Sequence, residues 1–170
     1  MFTDADMDRA DWAFLQHGAV TLFWKPALLD AAKNDLRQLG YEIAEVACNS
    51  SLQRFRTQLS EVLRWEEQFG YGPWNGNLNA LNDGFRGYPF ADAGRSALVL
   101  EGFHGLVAMD GDFAHQVLDI IERQARNHLL LGKILICLVQ TDDNRYNCAA
   151  IGCRSANWNP REWLNADRGL

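Results

Sequence analysis

The chain has no apolar run long enough to cross a bilayer. Its longest, ILICLV at 134–139, is far short of the roughly 20 residues a spanning helix needs. It also has no surplus of positive charge. Lys and Arg number 16 against 22 Asp and Glu, a formal net charge of −6. That excludes the dense basic surface on which phosphate backbones bind, so no nucleic acid is expected as a direct ligand. An acidic balance suits a basic protein partner, and equally a protein whose charge serves solubility. The opening segment MFTDADMDRADW has neither the basic nor the apolar region of a secretory leader, and the expected location is the cytoplasm. There the four cysteines, Cys48, Cys137, Cys148 and Cys153, fit reduced thiols. Cys148 and Cys153 form C-x4-C with no second Cys or His pair nearby, so no metal site is expected. Neither G-x-G-x-x-G nor the P-loop pattern occurs, and no cofactor is expected. His17, His104, His115 and His128 are scattered without ligand spacing.

What is present is an alternation of strand and helix patterns without internal repeats. Asp8 to Gln16 reads as a short helix closed by Gly18, and Ala19 to Trp24 as a buried strand. Pro26 suits a first helical turn, followed by a stripe of Leu28, Leu29, Ala32, Leu36 and Leu39. Tyr41 to Cys48 reads as a strand. Ser50 with Gln53 offers a capping box for a helix that buries Leu52, Phe55, Leu59, Val62 and Leu63. Ala97 to Glu101 is the next strand, Phe113 to Leu131 a helix, and Lys133 to Gln140 a strand apolar on both faces. On that last helix Asp119, Glu122 and Arg123 read as a solvated charged face. In the tail, Asn159, Pro160 and Glu162 look like the cap and first turn of a short helix carrying Trp163 and Leu164. This alternation predicts an α/β fold with a small parallel sheet of about four strands, right-handed crossovers and flanking helices. The expected organisation is an N-terminal extension over 1–40, a central domain over 41–141 and a tail over 142–170.

Between the second strand's helix and the third strand lies WNGNLNALNDGFRGY, residues 74–88. Leu78, Leu81 and Phe85 make one apolar stripe at helical spacing, with Asn79, Asn82, Asp83 and Arg86 on the opposite side. Asparagine is a weak helix former and Gly84 costs about 1 kcal/mol relative to alanine, so helix propensity does not account for these residues. The polar stripe is either an ordinary solvated surface or a face displayed to a partner. Trp74, in the Gly/Pro loop GYGPWNG, reads equally as an interface anchor or as a lid over the core. An enzymatic reading would pair Asp83 with His104 or His115, since active sites assemble across sequence.

The segment GNLNALNDGFRGY, Gly76 to Tyr88, resembles the signature of barstar-like proteins, intracellular inhibitors of barnase-type ribonucleases. The order strand, helix, polar loop-helix, strand, helix, strand from about Tyr41 to Gln140 is similar to that family's order. The resemblance implies a three-layer α/β fold, no enzymatic activity, and a polar helix and preceding loop that plug the RNA-binding cleft of a basic ribonuclease. Such a cleft is lined with cations that hold a phosphodiester, so a rigidly presented carboxylate takes the phosphate's place. Asn77, Leu78, Ala80, Leu81, Asp83 and Gly87 match the family pattern, and Asp83 falls on its principal inhibitory aspartate. Tyr88 stands where an aromatic is expected. Trp74 replaces one tyrosine of an aromatic pair, with Pro73 beside it. Asn79 replaces an acid, and Asn82 replaces the tryptophan of the best-known member.

The partner-binding set implied by the resemblance is therefore Trp74, Asn75, Asn77, Asn79, Asn82, Asp83, Arg86, Gly87 and Tyr88. Three functions follow as expectations. The first is an immunity protein that inhibits a basic ribonuclease. The second is a barstar-like module that binds a different toxin or partner protein, consistent with Asn79 and Asn82. The third is an enzyme using Asp83 with a histidine in a deep pocket.

Overall fold

The apolar runs do form strands in the computed structural model of the chain, which describes residues 2–170. Among these residues are five strands: β1 (Val20–Phe23), β2 (Glu42–Ala47), β3 (Arg95–Glu101), β4 (Ile134–Gln140) and β5 (Asn157–Trp158). They form one parallel sheet in the order β2-β3-β4-β1-β5. Seven α-helices accompany them among the described residues: α1 (Ala10–Leu15), α2 (Pro26–Gln38), α3 (Leu52–Val62), α4 (Trp65–Phe69), α5 (Leu78–Arg86), α6 (Phe103–Met109) and α7 (Gly111–Leu130). None of these helices is long and apolar enough to cross a membrane.

Side-chain alternation along the central strands sets the layers. Leu98 and Leu100 of β3, with Leu135, Cys137 and Val139 of β4, face a core shared with α3 to α7. Ala97, Val99, Ile136 and Leu138 point the other way, onto Leu29, Ala32 and Leu36 of α2 and the flank of α1. A parallel sheet covered on both faces is the α/β architecture expected from the alternation. Cys48 and Cys137 lie fully inside, where burial pushes the Cys48 thiol up to about 12 and the Cys137 thiol well above its ordinary value. Both behave as small hydrophobes.

Several boundaries differ from expectation. The sheet has five strands because the tail contributes β5, whose Asn157 and Trp158 pair with Thr21 and Leu22. Strand β1 lies between β4 and β5, so segments 1–40, 41–141 and 142–170 share one sheet. Ser51, one residue beyond Ser50, caps α3, its Oγ accepting from the Arg54 N–H at 3.2 Å. Residues 103–109 form α6, a helix the sequence pattern did not reveal because Gly105 interrupts its seven residues and Gly102 stands at its N-cap. Glu122 is 3 % exposed rather than solvated, and accepts the Ala19 N–H at 2.7 Å. Asp119 is likewise engaged, accepting the Gly152 N–H at 2.7 Å.

Glu162 is fully buried and accepts the N–H groups of Trp24 at 3.1 Å and Lys25 at 2.7 Å, at the N-terminus of α2. Free N–H groups there favour negative charge, so a tail carboxylate caps a helix start 137 positions away in the chain's first third, in addition to ending a single 3-10 turn over Pro160–Glu162. Replacing Glu162→Ala is expected to lower stability by about 2 kcal/mol or more in urea unfolding, because buried charged hydrogen bonds are lost. In the native protein Cys153, the exposed thiol, is expected to react with a disulfide reagent rapidly, while buried Cys48, Cys137 and Cys148 react only on unfolding. More than one fast thiol would contradict this packing.

Candidate functional site

Helix α5 begins at a side-chain cap. Asn77 Oδ1 accepts the N–H groups of Asn79 at 2.9 Å and Ala80 at 3.1 Å, satisfying two of the donors a helix start leaves open. The loop before it is pinned from below. Asn75 Oδ1 accepts the Asn77 N–H at 3.0 Å, Trp74 donates its indole N–H to the Asn77 carbonyl at 2.8 Å, and the Trp74 backbone N–H reaches Ser60 Oγ at 2.9 Å. Trp74 itself is 1 % exposed and stacks on Phe113 of α7 at 5.9 Å between centroids. Of its two readings, the structure has the lid over the core. Tyr88, expected on the partner face, is also buried, stacked against Phe85 at 6.2 Å, and burial raises its phenol above the ordinary value. Neither ring is part of the exposed surface; both brace the segment from inside.

The apolar stripe packs as the spacing implies. Leu81 and Phe85 are fully buried, while α5 rests on α7. Gly84 faces Trp65 of α4, and a Cβ there would lie 2.8 Å from the indole Cζ3. That close approach explains a glycine in a helix interior. Gly87 is exposed, yet a Cβ on it would collide with Gln68 Oε1. Two polar ties fix α5 along α7: Gln124 Nε2 donates to Asn82 Oδ1 at 2.7 Å, and His128 Nε2 lies 2.8 Å from the Phe85 carbonyl. Asn82 is thus half-buried and turned toward α7 rather than fully displayed.

What remains on the surface is Asn75, Asn77, Asn79, Asp83, Arg86 and Gly87. Asp83 is exposed, and among the described residues no side-chain hydrogen bond or ion pair involves its carboxylate. The arrangement presents one unpaired carboxylate with amides and one guanidinium, on a helix whose buried side is locked. The Asp83–histidine pairing does not form. His104 Nδ1 accepts the Asp142 N–H at 3.2 Å, His115 Nδ1 lies 3.8 Å from Cys148 Sγ, His17 packs on Trp163 and His128 holds Phe85. No group of three or more His, Cys, Asp or Glu side chains placed to hold a metal occurs among the described residues.

Sequence reasoning missed the residues that hold this face from behind. Trp65, Gln68, Ser60 and Gln124 come from α3, α4 and α7, and only Gly84, an unexplained cost in a helix, pointed to a close neighbour. No protein-family model, curated protein or solved structure matches the chain. The likeness to barstar-like inhibitors therefore rests on the residues of the 76–88 segment and the order of elements.

If the face is displayed rather than structural, its exposed and buried members differ in what they do for folding. Asn77→Ala is expected to cost about 1 kcal/mol of stability as a lost cap, and Gly84→Ala about 1–3 kcal/mol through collision with Trp65. Asp83→Asn is expected to change stability by no more than about 0.5 kcal/mol. Urea unfolding of the three variants checks the contrast, and a strongly destabilised Asp83→Asn would make Asp83 a structural residue.

Proposed function

We propose that the protein is a barstar-like inhibitor that binds a basic ribonuclease and occludes its cleft with the α5 face, acting as an immunity protein in the cytoplasm. The observation that carries this reading is Asp83: an exposed carboxylate without an internal partner, centred on a capped helix that is fixed to α4 and α7. A rigid anion needs little ordering on binding, and cationic groups in a phosphodiester cleft supply the complementary charge. The net charge of −6 favours encounter with a basic partner. In this reading the displayed residues Asn75, Asn77, Asn79, Asp83, Arg86 and Gly87 touch the ribonuclease. Trp74, Asn82 and Tyr88 hold them in position.

A second reading is a related module for a different toxin or partner protein. It is favoured by Asn79, an exposed amide where the resemblance implies an acid, and by the inward turn of Trp74 and Tyr88, which leaves no large aromatic on the face.

Titrating the protein into a barnase-type ribonuclease assay at low and moderate salt, with Asp83→Ala alongside, tests both. Stoichiometric inhibition is expected, weakened by salt, with apparent affinity falling about 30-fold or more in the variant, as for loss of one partner of an interfacial charge pair. Equal inhibition by Asp83→Ala would sink the carboxylate mechanism. No inhibition by the parent protein would favour the second reading.

A further inference from the structure

At the edge of the displayed face stands Arg56 of α3, a cation whose place is fixed by packing. A Cβ on Gly76 would come within 2.7 Å of Arg56 Cζ and Nη2, so the guanidinium occupies the space a side chain at 76 would need. It also lies over the Phe113 ring, with Cζ 5.8 Å from the centroid. Held in this way, Arg56 is half-buried, forms no ion pair among the described residues, and has a buried Nε without a hydrogen bond. Its Nη atoms are also free of hydrogen bonds and, unlike Nε, they reach solvent. The other buried or half-buried arginines among the described residues are satisfied inside the fold. Arg9 is held by Asp6 and Asp11, Arg95 by the Leu39 carbonyl, and Arg168 by the carbonyls of Asn144 and Trp163.

A second observation is independent of Arg56 and concerns the amides on either side of Gly76. Asn75 Oδ1 accepts the Asn77 N–H, and Asn77 Oδ1 accepts the N–H groups of Asn79 and Ala80. A backbone N–H only donates, so both amides have a determined orientation, with the oxygen engaged and the NH2 free on an exposed residue. Around Gly76, therefore, two amide NH2 groups and the Nη edge of a guanidinium offer donors and positive charge, with no acceptor from the described chain. The chemistry that matches such a cluster is an oxyanion. A cation is repelled, and a neutral carbonyl leaves the charge unmatched, whereas a carboxylate accepts from the fork and the amides and balances the charge.

We propose that Arg56, Asn75 and Asn77 form an anion-docking point that takes an Asp or Glu side chain of the partner protein. The proposal rests on the reading of the α5 face as a protein-docking surface and adds a second pole to it. Asp83 lies further along α5, about 9 Å from Asn77 at about 1.5 Å per residue, and meets a cation, while the Arg56 point meets an anion. A partner must then carry both charges at that spacing and in that order. This sets the register of docking and selects against a surface that is cationic throughout.

The test needs no ribonuclease. The 15N-labelled protein is titrated at neutral pH and constant ionic strength with the capped peptide Gly-Glu-Gly, with capped Gly-Gln-Gly, and with inorganic phosphate. The signals followed are the side-chain NH2 groups of Asn75 and Asn77, the Gly76 amide and the Arg56 Nε–H. The glutamate peptide is expected to shift them saturably, and the glutamine peptide to leave them in place. Arg56→Met, which keeps an unbranched apolar cover on Phe113, is expected to weaken the glutamate peptide at least about fivefold, read at Asn75, Gly76 and Asn77. Equal shifts with the two peptides, no saturable shift at the highest glutamate-peptide concentration, or equal affinity in Arg56→Met overturns the proposal. Phosphate binding tighter than the glutamate peptide by about tenfold or more also overturns it, because the point would then be a phosphate site. Should Arg56→Met fail to fold, the comparison of the two peptides on the parent protein still decides. Asp83→Ala is expected to bind the glutamate peptide at least as well as the parent, so anion docking and Asp83-dependent ribonuclease inhibition fail or succeed separately.

Discussion

Strand β4 is hydrogen-bonded on both edges and apolar on both faces, and most of the fold follows from that constraint. Its backbone groups are satisfied by β3 and β1, so the chain's first and middle segments enter one sheet. Its side chains need cover on both sides: α2 supplies one layer, while α7, the longest helix, supplies much of the other. Helix α5 rests on α7 and is tied to it at Asn82 and Phe85. The rigidity of the displayed face is therefore inherited from the sheet through α7, and does not arise from the weak helix-forming residues of α5.

The same constraint explains what could be read in the sequence. Lys133 to Gln140 has no polar face, so a strand buried from both sides was legible, and with it the layered α/β class. The stripe Leu29, Ala32, Leu36 and the cap Asn77 were legible because they depend on near neighbours in the chain. The short β5 and the burial of Glu122 and Glu162 were not, because each depends on a partner far along the chain. A two-residue strand has no periodicity to detect, and a carboxylate that accepts the Ala19 N–H looks in sequence like any charge on a helix. Within the site, the positions of the amides were visible but their directions were not. Asn82 turns toward Gln124, and the ring of Trp74 fills space above Phe113, which no spacing rule reports.

Turning Trp74 and Tyr88 inward changes what kind of recognition the face supports. Interfaces commonly gain much of their energy from aromatic anchors buried in a partner's pockets, and this face displays none. Its surface is one carboxylate, one guanidinium and several amides, so contact adds hydrogen bonds and charge more than apolar area. Such groups are already well solvated, and each gains on binding only if the partner matches it closely, since an unmatched polar group left buried costs about 1–3 kcal/mol. Selectivity then depends on geometry that does not yield.

That requirement is consistent with the unusual local choices around α5. Gly84 gives up helix propensity to let α5 approach Trp65, and Gly87 gives up a side chain to let Gln68 pass. Both glycines trade local stability for a fixed distance between α5 and the layer beneath it. Trp74, Ser60 and Asn77 then hold the loop at the height of the helix start, so that the amides and Asp83 form one surface. A flexible display of the same residues would have to be ordered at the moment of contact, at about 0.5–1.5 kcal/mol per rotamer-rich side chain, and would match more partners less well. The tight packing beneath a weakly helical, polar segment is thus the physical link between the fold and the binding role proposed for this face.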